Sequence, residues 1–358
     1  MRRETEASDE LGSPSGLAVS DTQTNHIARA ATSLSWRARV TSSLALPVLT
    51  VMILIVALGS LKTPLFLAPD TWSNILRASS FVIIVACFEA LVMIAGGLDL
   101  SVGASFLAGA MTSAYLVTAT ESIALAFGGA LVVGLAIGFV NGLLTSWLMI
   151  SPIIATLGTL FGVGAIVITL SGGVSIGPLP DNFSQIGNIS LGPIPGVFVY
   201  AIVIAVMVHV VLEYTDWGTR IRAIGGNREA AIKVGINARR TAMSVYAMTG
   251  MFSALAGLLQ AASLGSGSPS FGIGMELKVI AAVIIGGVSI YGAIGTIPGV
   301  VAGSMLLSLI TVGLVLLRIS GSMQNFFVGL VLIIAVVIDR FRKERMFKAS
   351  VDKVGGTQ

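Results

Sequence analysis

The sequence predicts an all-α polytopic membrane protein of about ten transmembrane helices, and two observations carry that prediction. Only 11% of the 358 residues are charged and 55% are hydrophobic, with a mean hydropathy of +0.94. A soluble domain carries about 25% charged residues, so this chain lacks the polar groups to cover a water-facing surface. The hydrophobic residues also fall in runs long enough to cross a bilayer core of about 30 Å as helices.

In chain order, the first 43 residues are rich in Ser and Thr and mix Arg2 and Arg3 with Glu4, Glu6, Asp9 and Glu10. They lack a short apolar core followed by a cleavage site, which predicts a disordered cytoplasmic tail (1–43) and no signal peptide. A membrane domain is expected over 44–339, with apolar spans at 44–61, 75–97, 100–119, 122–147, 152–171, 196–213, 241–263, 277–289, 296–317 and 322–339. The eighth is short and Gly-rich, the pattern of a re-entrant or broken segment. A basic cytoplasmic tail is expected over 340–358.

Charge sets the orientation. The N-terminal tail holds five Lys/Arg, the 214–240 loop six and the tail after Ile338 six, which together are 17 of the 21. Six spans before the loop and four after it place all three basic segments on one side, as the positive-inside rule requires. Both termini and the 214–240 loop are therefore expected in the cytoplasm, and the 171–195 connection outside. The basic balance, +4 overall, thus encodes topology and does not point to nucleic acid. Cys87 stands alone in an apolar run, so disulfides play no part.

The stretch GGLDLSVG (96–103) raises a separate question, because it places Asp99 between two apolar runs. The span count puts it at the cytoplasmic end of the second span, near the interface. There Gly96 and Gly97 allow a sharp turn and Asp99 is expected to cap the next helix. Glu89 lies about two turns earlier, inside the membrane. It could line a substrate path as a hydroxyl acceptor, or sit protonated or paired within the bundle.

In the basic loop, GGNREAAIKVG offers Asn227 as an N-cap, a helix-forming run and Gly235 as a terminator. A helix of two turns does not hold itself together in water, so it must pack against something. A partner protein and an anionic lipid surface, drawn by Arg228 and Lys233, both suit it. The glycine ladders Gly134–Gly138–Gly142 and Gly295–Gly299–Gly303 put small residues on one helix face, which suits packing inside one subunit or a dimer seam. Pro298 is expected to disturb the helix that carries the second ladder.

Neither a catalytic set nor a metal cluster is legible. The two histidines, His26 and His209, lie far apart, in the tail and in a span. The sequence contains no Gly-Lys pair and hence no P-loop, so energy must come from a partner or an ion gradient. No cofactor is expected.

GGLDLSVG also resembles the signature of the ribose-type permease family of bacterial ATP-binding-cassette (ABC) importers. NGLLTSWLMISPIIATLGTL (141–160), SGG (171–173), IRAIGGNREAAIKVGIN (221–237) and ELKVIAAVIIGGVSIYGAIGTIPG (276–299) agree in order and spacing. The resemblance covers about residues 70 to 340, and the charge at Glu89 departs from its usual pattern. It implies a type II ABC importer permease bundle in the bacterial cytoplasmic membrane. It further implies cytoplasmic ATPase subunits, an external sugar-binding protein, and a homodimer or a heterodimer with a sister permease. The coupling helix would be Asn227, Arg228, Glu229, Ala230, Ala231, Lys233 and Gly235, and the signature turn Gly96, Gly97, Asp99, Leu100, Ser101 and Gly103. The expected function is import of a monosaccharide or small polyol. An ion-coupled secondary carrier and a branched-chain amino-acid permease of the same fold stand as alternatives.

Overall fold

The computed structural model describes residues 45–321, 323–324, 326–337 and 340. The expectations for the tail at 1–43, and for the basic tail beyond Arg340, fall outside the described residues. The described residues are largely helical, in the order α1 (Ala45–Ser60), α2 (Pro69–Ile94), α3 (Val102–Thr120), α4 (Ile123–Ser146), α5 (Pro152–Leu170), α6 (Asp181–Asn188), α7 (Gly196–Tyr214), α8 (Asp216–Gly226), α9 (Arg228–Lys233), α10 (Ala238–Leu264), α11 (Met275–Ile285) and α12 (Ile297–Leu316). A further apolar helix, α13, covers Phe326–Val337. Among the described residues the sheet is confined to a two-stranded hairpin, β1 (Ser190–Leu191) with β2 (Ile194–Pro195).

Among the described residues seven helices are long and apolar enough to cross a membrane: α2, α3, α4, α5, α7, α10 and α12. The other expected spans fall on shorter helices. The eighth is α11, whose 11 residues reach only about 16 Å, half of a bilayer core. A turn at 286–296 follows it, so the expectation of a broken segment describes the chain well.

Burial divides these helices into two kinds. In the most apolar window of α2, 83% of residues are buried inside the protein, against 11% for α5. Helix α2 therefore forms the core, packed by α10, α12, α7 and α11, while α5 presents its Ile, Phe and Gly residues outward. An apolar helix with so little protein around it needs lipid or a second membrane subunit to cover it.

The glycine ladders explain the closest approaches. A Cβ on Gly134, Gly138 or Gly142 would run into the backbone of α10 at Gly250, Tyr246–Ala247 and Met243. In the second ladder, Gly299 and Gly303 meet α11 at Gly286 and Ala282. Both ladders are seams inside one subunit. Pro298 does not disturb its helix: it occupies the first turn of α12, where its missing N–H has no intrahelical partner to lose.

At the end of the bundle away from the basic loop, Ile176 bridges Gly267, and Arg77 ties α2 to α6 through the Gly187 carbonyl at 2.9 Å and Asn188 Oδ1 at 3.0 Å. Phe183 of α6, fully buried, anchors that short helix on the core.

Candidate functional site

The basic loop folds into two helices hinged at one residue. Thr215 caps α8 by accepting from the Gly218 amide at 3.3 Å. Asn227 ends α8 and starts α9, its Oδ1 accepting from the Ala230 amide at 3.0 Å. Gly235, at φ +89°, closes α9 in the left-handed region, and the Ile236 amide returns to the Ala231 carbonyl at 3.0 Å.

Of the six residues of α9 only Ala231 is buried, against Ile224 and Ala238. Glu229, Ala230 and Lys233 face solvent, and Arg228 is half-buried. The exposed face is apolar at its tip, with Ile232 55% and Val234 76% exposed. Charge and capping made this helix legible in the sequence, but these two apolar residues were not singled out.

Glycine lets the element sit directly on the bundle. A Cβ at Gly225 would meet the Ile94 carbonyl at the end of α2, and the Ala293 amide donates to that same carbonyl at 2.8 Å. Arg222 reaches the Ala293 and Gly295 carbonyls at 3.4 and 3.3 Å and pairs with Glu213 of α7. Three segments thus converge here: α8, the C-terminus of α2 and the turn between α11 and α12. Gly225 brings α8 into direct backbone contact with both of the others, and the Arg222 side chain adds to the contact with the turn.

Next to this junction lies the GGLDLSVG turn. Gly96, at φ +84°, reverses the chain after α2, and a side chain on Gly97 would strike the Tyr246 hydroxyl at 2.6 Å. The Asp99 amide donates to Glu89 Oε1 at 3.0 Å. Asp99 Oδ1 accepts from the Ser101 amide at 2.8 Å and the Ser101 hydroxyl at 2.6 Å. Ser101 Oγ accepts from Asn141 Nδ2, and Asn141 Oδ1 accepts from the Thr159 hydroxyl, each at 2.6 Å. One buried polar chain thereby joins α2, the turn, α4 and α5.

One expectation about Asp99 is corrected by this geometry. It is not the N-cap of α3: Ser101 holds that position, and Asp99 forms an Asx-type turn one step earlier. It also lies deeper than the ends of the helices around it. Its partners sit inside the bundle, Glu89 five residues before the end of α2, Asn141 five before the end of α4 and Thr159 seven after the start of α5. At 1.5 Å per residue these are depths of about 7 to 10 Å from the helix ends. The chain climbs back into the bundle after Gly97, because Glu89 draws the Asp99 amide inward. Asp99 is 1% exposed and Glu89 fully buried. Glu89 therefore serves as a fixed acceptor for the turn, and its second oxygen has no hydrogen-bond partner among the described residues.

Leu100 packs half-buried on the core, and Gly103 is where the 265–274 loop passes closest, the Gly272 carbonyl standing 2.7 Å from where a Cβ would be. Asn141 and Thr159 were not read as site residues; the one signal for Asn141 was an amide inside an apolar span. Replacing Asp99 with Ala leaves the Ser101 amide without its acceptor in a buried site, a cost of about 1–3 kcal/mol. The unfolding midpoint in detergent is expected to fall clearly in that variant and much less in Asp99→Asn, which retains an acceptor oxygen. Equal midpoints for wild type and Asp99→Ala would show that the turn does not depend on this side chain.

Comparison with known proteins agrees with the architecture. Residues 71–336 match the family described as the branched-chain amino acid transport system / permease component. The galactose/methyl galactoside import permease protein of Haemophilus influenzae is 33% identical over 311 residues, covering 81% of this chain and 93% of that protein. The autoinducer 2 import system permease protein of Salmonella typhi is 31% identical, covering 81% and 84%. The L-arabinose transport system permease protein of Escherichia coli is 32% identical, covering 73% and 79%. With seven membrane-length helices among the described residues, a match across three quarters of its length and the three permeases above as relatives, the chain belongs to this family of multi-pass transport permeases.

Proposed function

We propose that the chain is the transmembrane subunit of an ABC importer for a monosaccharide or small polyol, working with cytoplasmic ATPase subunits and an external binding protein. The observation that carries the reading is α9. It is a capped two-turn element that buries one residue and exposes an apolar tip, and α8, which leads into it, rests through Gly225 on the end of α2 and the α11–α12 turn. A cleft on an ATPase subunit would take Ile232 and Val234. Its closure on ATP would push α8 against Ile94 and Ala293, and so tilt α2, the most buried helix, together with α11 and α12. Relatives named for galactose, arabinose and autoinducer 2 support a sugar-like cargo over a branched-chain amino acid. A second membrane subunit, identical or a sister permease, together with lipid would cover the outward face of α5.

The buried Glu89–Asp99 pair supports a second reading, because intramembrane carboxylates serve ion coupling in secondary carriers. The test is uptake into proteoliposomes holding the permease, its ATPase and a loaded binding protein. ATP-dependent accumulation of a labelled galactose- or arabinose-type sugar, with leucine excluded, is expected. Accumulation driven by an ion gradient without the ATPase would promote the carrier, and accumulation of leucine the amino-acid permease.

A further inference from the structure

At the end of the bundle opposite α9, four helices line a half-open cavity of about 300 Å³, at the lower limit of small-ligand sites. Its floor is apolar, with Phe81, Val82, Met275 and Leu307 all buried. Two cations stand in its wall, Arg77 from α2 and Lys278 from the first turn of α11, and no lining residue is acidic. They are notable because only four of the 21 Lys/Arg lie outside the tails and the 214–240 loop, and two of those four meet here.

The two differ in how far they are satisfied. Arg77 uses Nη1 for all its bonds, to Gly187, Asn188 and Ser263 Oγ, the last at 3.2 Å. Its remaining donors have no partner among the described residues. The Lys278 ammonium makes no hydrogen bond or ion pair to a described residue, although the Glu276 carboxylate two residues earlier lies near enough to feel its charge. The nearest acid on its helix, Glu276, has a carboxylate oxygen close to the position a Cβ would take on Gly103 of α3. Ser308, buried, and Thr311 add hydroxyls to the same wall. Two half-buried cations over apolar surface, with no acid in the cavity wall, favour the entry of an anion.

We propose that this cavity holds the phosphate of an anionic phospholipid, with Arg77 and Lys278 as its charge partners and an acyl chain leaving along the apolar surface. The cavity lies between membrane helices, within reach of lipid headgroups, and basic pockets of this kind, known chiefly from the cytoplasmic side, take acidic headgroups. Arg77 also holds α6 to α2, so lipid bound here would stiffen the connection between the 171–195 segment and the core. The assignment stands independently of the transported cargo.

The test uses the full chain reconstituted in nanodiscs of mixed phosphatidylglycerol and phosphatidylcholine, then released for native mass spectrometry. The wild type is expected to retain phosphatidylglycerol in preference, by about tenfold, a difference of ~1.4 kcal/mol. Lys278→Gln, which removes no bond seen in the structure, is expected to lose most of that preference with its unfolding midpoint unchanged. Arg77→Gln should lose it and also loosen α6. Equal retention of both lipids by wild type and Lys278→Gln would overturn the proposal. So would displacement of the lipid by millimolar inorganic phosphate, which would mark a site for a soluble anion. Unchanged lipid retention in Lys278→Gln with loss of binding-protein capture would overturn it too, assigning the cations to protein docking.

Discussion

Ile232→Asp is expected to lower capture of the ATPase subunit by about 30-fold, the equivalent of ~2 kcal/mol and the scale of an interface hot spot. ATP-driven uptake should fall with it. Ile232 is 55% exposed at the tip of α9 and touches none of the buried cluster, so a charge there costs the isolated permease nothing. In a docked complex the same carboxylate would be stranded in an apolar cleft. Expression, unfolding midpoint and capture of the binding protein should match wild type. Val234→Asp, at a residue 76% exposed, should act in the same direction. The measurement is pull-down of the ATPase beside uptake rate; full capture by Ile232→Asp would place the docking surface elsewhere.

Gly138→Leu should have the largest effect on the fold itself. A Cβ there meets the backbone of α10, 2.9 Å from the Ala247 Cα, and backbone cannot step aside as a side chain can. Overpacking of this kind costs about 3 kcal/mol or more, a drop of roughly 10 °C in unfolding midpoint. The control is Gly158→Leu on α5, where a Cβ meets nothing within 4 Å and no change in midpoint is expected. Thermal unfolding of the two purified variants distinguishes them. Equal midpoints would mean that α4 and α10 do not depend on the glycine seam.

Much of this was legible in sequence because bilayer physics is one-dimensional. Apolar length gave most of the spans, and the broken character of the eighth followed from its glycines. Capping chemistry located α9, since Asn227 and Gly235 act within a few residues of themselves. Long-range partners were not legible. Asp99 reads locally as a cap near an interface, and only Glu89, Asn141 and Thr159, brought together from three helices, show that the turn climbs into the bundle. The exposure of Ile232 and Val234 depends in the same way on how α9 is seated by Ala231 and Gly225. Arg77 and Lys278 are 201 positions apart in the chain, and nothing local signals that they share one cavity.

Labelling of one cysteine tests the central claim most directly. Cys87→Ser removes the native thiol, and Ala230→Cys then places a single thiol on the exposed face of α9. An impermeant maleimide should label it in inside-out vesicles and not in intact cells, whereas Ser184→Cys, on α6, should show the reverse. Adding the ATPase subunit to the vesicles should protect the thiol at position 230. Labelling of position 230 from outside intact cells would contradict the orientation, and undiminished labelling with the ATPase bound would contradict docking through α9.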